Sequence, residues 1–360
     1  AVRAELRRRE AELSRRVVRD AACVFATCVG AAHLVATSNR GQNNTNSRSR
    51  SSSHDDDDDA ALFDVVVLDE AAQALEIAAW IPLAMAKRAV LAGDHKQLPP
   101  TVKADAAVGV LGRTLFERLV GFGKTATSTT GIRTVLLDTQ YRMHPDICEW
   151  ASVASYGGLL CADASVVARA PITSLTSGEA LPALLAIDTA GEGLADDAGD
   201  DDEPHSKEHG VHSVANAGEA EVVARHVRRL IRKHGLAPSA VCVIAPYNAQ
   251  VQALRDRLPP TVEAKTVDGY QGGERDAVVL SLTRSNRHRR IGFLADDRRL
   301  NVAVTRAKRH LCVVGDSDTV RTSPMIASLL DHIENKGEYR CLGDAFDDDV
   351  EDYDDEDAYG

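Results

Sequence analysis

The sequence predicts an α/β fold built as two successive parallel-sheet domains, and three observations predict it. Short continuous apolar runs, VVVL in strand 64–68, VCVIAP at 241–246, DAVVLSL at 276–282 and HLCVVGD at 310–316, read as strands buried on both faces. Segments with helical apolar spacing alternate with them, the clearest being EAEVVARHVRRLIRKHG at 219–235. A chain of 360 residues with 44% hydrophobic content has the length for two domains and the apolar material for their cores.

The elements follow in order. Residues 2–20 read as an Arg-rich helix with a partial apolar face at Leu6, Leu13, Val17 and Val18, and CVFAT at 23–27 as a short strand. The polar stretch 38–60 reads as a disordered insertion. Strand 64–68, a helix near 74–87, strand 88–92, a Pro99-Pro100 loop and a helix at 109–120 complete the first domain, residues 1–125. After the Gly/Thr/Ser-rich linker, TVLLD at 134–138 opens a second domain spanning 126–325, which carries an acidic loop at 191–217. Its helix 219–235 stops at Gly235, NAQVQALRDRL forms the next helix, and RRLNVAVTRAKR is expected to be helical before the last strand. Residues 326–360 are left as an extension with an acidic, disordered tail.

Composition narrows the function. The 7 cysteines are odd in number and contain no C-x-x-C, so neither a disulfide framework nor a zinc site is indicated and a reducing compartment is. No apolar run approaches the ~18–20 residues that span a bilayer, and the charged N-terminus is no secretory leader. A cytoplasmic or nuclear protein with no membrane partner is expected. The formal net charge is −12, but much of the acid lies in three runs, at 55–59, 196–203 and 344–357. Setting those aside leaves a basic remainder, as a polyanion binder requires.

Five motifs carry candidate chemistry, each with an ordinary structural reading beside it. VVVLDEAAQ ends a strand in Asp69 and Glu70, placed where α/β sheets bind ligands or, equally, where acids cap a following helix. AVLAGDHKQLPPTV offers Gln97 to a phosphate or a water, or is simply a turn stopped by prolines. QYRMHP presents Arg142 for a phosphate or for an interdomain ion pair. VDGYQGGERD has glycines at 269, 272 and 273 that permit close backbone approach or merely a tight loop. NVAVTRAKR carries Arg306 on a helix behind the sheet, as a phosphate contact or as a solvated basic face.

In this order the five resemble the motif series of superfamily 1 helicases. The longer strings, above all TRSNRHRRIGFLADDRRLNVAVTRAKRHL, resemble the Upf-like group and its immunoglobulin-mu-binding branch. The resemblance covers roughly residues 1–340 outside the acidic insertions. It implies two RecA-like (P-loop NTPase) domains with ATP and Mg²⁺ between them, and 5′-to-3′ movement on single-stranded RNA or DNA. On that pattern Asp69 positions Mg²⁺ through water, Glu70 is the general base and Gln97 senses the γ-phosphate. Arg142 and Arg306 stabilise transition-state charge. Tyr141 stacks near the adenine, and Gly273 and Glu274 lie on the nucleotide side, Glu274 at the ribose or a nearby water. Nucleic-acid contacts fall at Thr27, Cys28 and Gly30, at Pro99 and Pro100, near Pro246 and Tyr247, and at Thr266. Protein partners are left unknown.

Two departures qualify the resemblance. The group usually has Arg where this chain has Gly273, one charge fewer near the nucleotide. A phosphate-binding loop needs G-x-x-x-x-G-K-[ST]; here only RLVGFGKT has the ending, with Arg118 where the first Gly belongs, and it follows the acid pair instead of preceding it. The expectation is therefore a fragment that starts after its phosphate loop, whose first sheet lacks strands, is poorly stable alone and has negligible ATPase. A nucleic-acid-binding fragment without hydrolysis, or a RecA-like scaffold with an acidic tail, are the competing readings.

Overall fold

The computed structural model describes residues 2–34, 62–125, 132–198 and 213–346. The predicted insertion at 38–60, the acids of 199–212 and the tail beyond 346 lie outside them. The chain divides into two compact units, Ala1–Val135 and Leu136–Gly360.

In the first unit, β1 (Phe63–Leu68) and β2 (Ala86–Leu91) form a two-stranded parallel sheet with Leu68 opposite Leu91. The helix Glu76–Leu83 connects them. Leu68, Ala71, Ala79 and Leu115 make a small core, against which Cys28, Leu91 and Phe116 pack. The run VVVL is not buried on both faces as its composition predicts. Leu68 is buried, but Val67 is 67% exposed, because a two-stranded sheet among the described residues has no further strand or layer to cover it. Two other expected strands are absent for a similar reason. Phe25 in CVFAT is solvent-exposed, and TVLLD, which crosses the boundary between the units, is irregular until Asp138 O accepts from Cys161 N at 2.7 Å, leaving Leu137 exposed. The expected helix 109–120 is two helices, Asp105–Leu111 and Leu115–Thr125. Thr114 starts the second by accepting a hydrogen bond from Glu117 N at 3.1 Å.

The second unit is a six-stranded, wholly parallel sheet. In chain order its strands are β5 (Leu184–Asp188), β6 (Val241–Ala245), β7 (Glu263–Thr266), β8 (Arg275–Ser281), β9 (Ala307–Gly315) and β10 (Glu338–Cys341). Their spatial order is β10-β5-β9-β8-β6-β7. A short pair, β3 (Thr139–Gln140) and β4 (Cys161–Ala162), stands apart. Side chains alternate across the strands, so Leu185, Val243, Val279 and Val314 meet the helices Ala217–Arg232 and Asn248–Arg255 through Val223, Val227, Leu230 and Leu254. The Ala217–Arg232 helix ends as predicted. Gly235 takes φ +64 and Leu236 N returns to Leu230 O at 3.2 Å. The expected C-terminal extension begins inside this unit, since the helix Pro324–Lys336 and β10 complete the sheet.

Within this core His226 Nε2 lies 3.2 Å from His310 Nε2, and His310 Nδ1 donates to Pro182 O at 2.6 Å. Burial keeps both imidazoles neutral, His226 well below the usual range and His310 down to about 4. The unfolded chain, titrating near ~6.5, takes up protons first as pH falls. Stability from the pair is therefore complete above that value and is lost as pH descends towards 4. Urea midpoints are expected to fall across this window. Replacing both residues, His226→Leu with His310→Leu, should flatten the fall; an unchanged slope would assign the acid sensitivity elsewhere.

Candidate functional site

Asp69 and Glu70 follow β1 at its carboxyl end, and Asp94 and Gln97 follow β2 at the same end of the same sheet. The two loops are tied together. Ala71 N donates to Ala92 O at 2.8 Å, and a side chain at Gly93 would press on Ala72 N at 2.9 Å. Glycine is what lets the backbones approach so closely. Glu70 sits at φ 50, a left-handed conformation uncommon for a non-glycine residue and often retained at functional positions. Its amide donates to Asp69 Oδ1 at 2.9 Å, and its Oε2 accepts from Gln73 Nε2 at 2.6 Å. Gln97 Nε2 donates to Asp94 Oδ2 at 2.8 Å. Both acids of the pair are exposed, and hard carboxylate oxygens at a strand end suit a partly hydrated Mg²⁺.

The second unit gathers its own candidates from three distant stretches. QYRMHP is explained residue by residue. Gln140 Oε1 accepts from Arg142 N at 2.8 Å and from Met143 N at 2.7 Å, forming the turn. Met143 is buried, His144 caps the helix Pro145–Tyr156, and Pro145 opens it. The turn leaves Tyr141 65% exposed. Arg142 Nε donates to Glu274 Oε2 at 2.6 Å and its Nη1 to Thr305 O at 3.1 Å. Arg306 is buried, with Nε on Val302 O at 2.9 Å, Nη2 on Thr305 Oγ1 at 3.0 Å and Nη1 near Gly273 O at 3.5 Å. It does not lie on a helix. The helix Asp297–Val304 has ended, and Arg306 occupies the turn into β9. Tyr141, Arg142, Gly273, Glu274 and Arg306 thus share one cluster at the amino ends of β8 and β9, where Arg275 pairs with Ala307.

Two members of this cluster were not anticipated. Lys308 Nζ lies 2.7 Å from Glu274 Oε1. Its signal was its place two residues after Arg306, on the same side of a strand start. Arg169 donates to Arg142 O at 2.7 Å and Tyr141 O at 3.4 Å, and nothing in its surrounding sequence marked it. Lys308, and then Arg142, hold the Glu274 carboxyl below its ordinary range against partial burial.

The residues expected to touch nucleic acid in this unit lie at the other end of the sheet. Ala245 and Thr266 are register partners at the carboxyl ends of β6 and β7, and Pro246 and Tyr247 come next. Tyr247 is 4% exposed, so its ring is a packing element. Thr266 Oγ1 accepts from Gly269 N at 3.2 Å. The segment Val267–Glu274 runs back from this end to the cluster around Arg142 and Arg306, anchored by buried Tyr270, whose ring a Cβ at Gly273 would meet at 2.9 Å. In the first unit, Thr27 Oγ1 accepts from Gly30 N at 3.0 Å, Cys28 packs on the small core, and Pro99 and Pro100 follow the Gln97 turn, Pro100 buried.

Two readings change. Asp196, set aside with the acidic run 196–203, is buried and pairs with Arg284 at 2.9 Å. GFGKT forms the end of the helix Leu115–Thr125, whereas a phosphate loop must precede a helix and use its positive N-terminus.

A family model described as an AAA domain matches residues 111–318, and a second AAA-domain model matches 44–105. The chain is 45% identical over 294 residues to DNA-binding protein SMUBP-2 of Rattus norvegicus, covering 79% of this chain and 28% of that protein. It is 39% identical over 269 residues to DNA polymerase alpha-associated DNA helicase A of Schizosaccharomyces pombe, covering 72% of this chain and 38% of that protein. Identity to the regulator of nonsense transcripts 1 homolog of Arabidopsis thaliana is 33% over 340 residues, covering 91% and 24%. The chain therefore spans well under half the length of these relatives. No described helix is long and apolar enough to cross a membrane. With its parallel RecA-like sheet, the chain belongs to the AAA-domain family, in the group of helicases that includes SMUBP-2 and the regulators of nonsense transcripts.

Proposed function

We propose that this chain is motor sequence of an ATP-dependent helicase or translocase that moves 5′ to 3′ on single-stranded RNA or DNA. One observation carries the reading: three stretches far apart in sequence bring Arg142 and Lys308 onto Glu274 and Arg306 beside Gly273. Cations concentrated on one strand-end surface are what transfer of a phosphoryl group needs. Glu70 accepts the proton of the water whose oxygen attacks the γ-phosphorus as the bond to ADP breaks, and Gln97 orients that water. Arg142 contacts the phosphate, Arg306 adds charge at short range, Glu274 sets the Arg142 guanidinium in place, and Tyr141 offers its exposed ring to the base. Asp69 would hold Mg²⁺, which supplies charge neutralisation to the phosphates when bound. Thr27, Cys28, Gly30, Pro99, Pro100, Pro246, Tyr247 and Thr266 lie along the strand's path.

The test is ATP hydrolysis by the natural protein with and without single-stranded RNA or DNA, and unwinding of duplexes with a 5′ or a 3′ overhang. Stimulated hydrolysis and preference for the 5′ overhang are expected; hydrolysis indifferent to nucleic acid would overturn the reading. The 360-residue chain itself should bind single strands while hydrolysing negligible ATP. Its binding constant should fall with salt on a log–log slope of about −0.7 per phosphate contacted, whatever the base sequence. A flat salt response would mean that the basic surface does not meet the backbone.

A further inference from the structure

We propose that Phe293 is a base-stacking platform for single-stranded nucleic acid, set in a basic loop at the carboxyl end of β8. The proposal rests on the nucleic-acid reading above and adds to it a residue and a mode of contact. Phe293 is 40% exposed although its neighbours Leu294 and Leu300 are buried. It is also fixed. Its amide donates to Tyr247 Oη at 3.1 Å, and the two ring centroids are 5.4 Å apart. Gly292 before it takes φ +55, and a Cβ there would collide with the Tyr247 hydroxyl, so glycine is required to lay this backbone against Tyr247.

Arg299 completes the mount. Its Cζ lies 5.6 Å from the Phe293 centroid, while its guanidinium is pinned by Asp296 at 3.0 Å and Asp268 at 3.3 Å. Asp268 is two residues from Thr266, so the ring stands beside the strand ends already assigned to the nucleic-acid path. Around it the loop RSNRHRRIGFLADDRR carries exposed Arg287, His288 and Arg289, with Arg290 and Arg298 partly exposed. The only acids in that stretch are Asp296 and Asp297. Asp296 is taken up by Arg299 and by capping Arg298 N at 3.0 Å. An apolar protein partner would be matched by contiguous apolar surface. One rigid aromatic face within a field of guanidinium groups matches instead an unpaired base and its flanking phosphates.

The experiment measures binding of the full chain to a fluorescent single-stranded oligonucleotide and to an abasic strand with the same number of phosphates. Phe293→Leu, which keeps apolar packing on Tyr247, and Phe293→Ala should weaken binding to the base-bearing strand by roughly tenfold. Both should leave the salt slope unchanged, and Phe293→Trp should retain affinity. On the abasic strand the wild type should bind as weakly as the variants. Arg287→Ala and Arg289→Ala should each reduce the salt slope by about 0.7 on both strands. Equal affinity of Phe293→Leu and wild type for the base-bearing strand, or equal losses on both strands, overturns the platform while nucleic-acid binding stands. Absence of binding by the wild type to either strand overturns the underlying reading as well.

Discussion

Glu70→Gln in the natural protein is expected to lower nucleic-acid-stimulated ATP turnover by a factor on the order of 10²–10⁴, the contribution typical of a positioned general base. The amide has the carboxylate's shape. It can accept the hydrogen bond that Gln73 Nε2 now gives at 2.6 Å, so the turn beyond β1 is retained. What it loses is the capacity to take a proton. Binding of ATP should therefore change little, and the loss should appear in kcat with KM nearly constant. Steady-state kinetics with a parallel nucleotide-binding titration separates the two. Turnover close to wild type would show that the acid pair serves another purpose, such as holding the turn beyond β1 through Gln73.

Arg142→Ala is expected to reduce turnover by about 10³-fold or more, in the range of cationic groups that stabilise a transferring phosphoryl. The structural cost should be small. Arg142 and Glu274 are each about one-third exposed, so their 2.6 Å ion pair is screened by water, and Lys308 still neutralises Glu274 at 2.7 Å. Arg142→Lys should not restore activity, because one ammonium cannot serve Glu274, Thr305 O and a phosphate at once as a guanidinium can. Thermal melting beside kcat decides the matter. A fall in turnover matched by a large fall in melting temperature would mark Arg142 as a structural tie. Arg306 is the contrasting case: it is buried and hydrogen-bonded on three sides, so removing it should damage folding as well as rate.

β6, β8 and β9 of the second unit were legible because each contains an apolar run covered on both faces, a condition composition reports directly, whereas β7 and β10, EAKT and EYRC, are not apolar runs and gave no such signal. The same signal misled in VVVL and CVFAT of the first unit and in TVLLD at the boundary between the units. These are equally apolar, yet a run of valines carries no information about whether a neighbouring layer exists to bury it. RRLNVAVTRAKR was misread as one helix for a different reason. Thr305 Oγ1 turns back onto Asn301 O and Val302 O at 2.8 and 3.1 Å, and Arg306 Nε also takes Val302 O. These side chains satisfy the last carbonyls and end the helix, and β9 begins at Ala307. Among site residues, Arg142 and Arg306 stood out as the charges carried by QYRMHP and NVAVTRAKR, and Glu274 was reached only through the helicase resemblance. Lys308 and Arg169 were hidden among many other cations and are singled out only by what they touch. Asp196 was lost in a run of like charges, where sequence cannot tell which carboxylate meets Arg284.

The short path from Thr266 to Arg275 has a mechanical consequence. Its ends differ in height by about six strand positions, roughly 20 Å, while a chain of that length reaches at most about 30 Å when fully drawn out. Tyr270, sunk in the core, pins it midway. Held at its midpoint, so short a stretch fixes where Glu274 stands, and with it the place at which Arg142 and Lys308 meet its carboxylate.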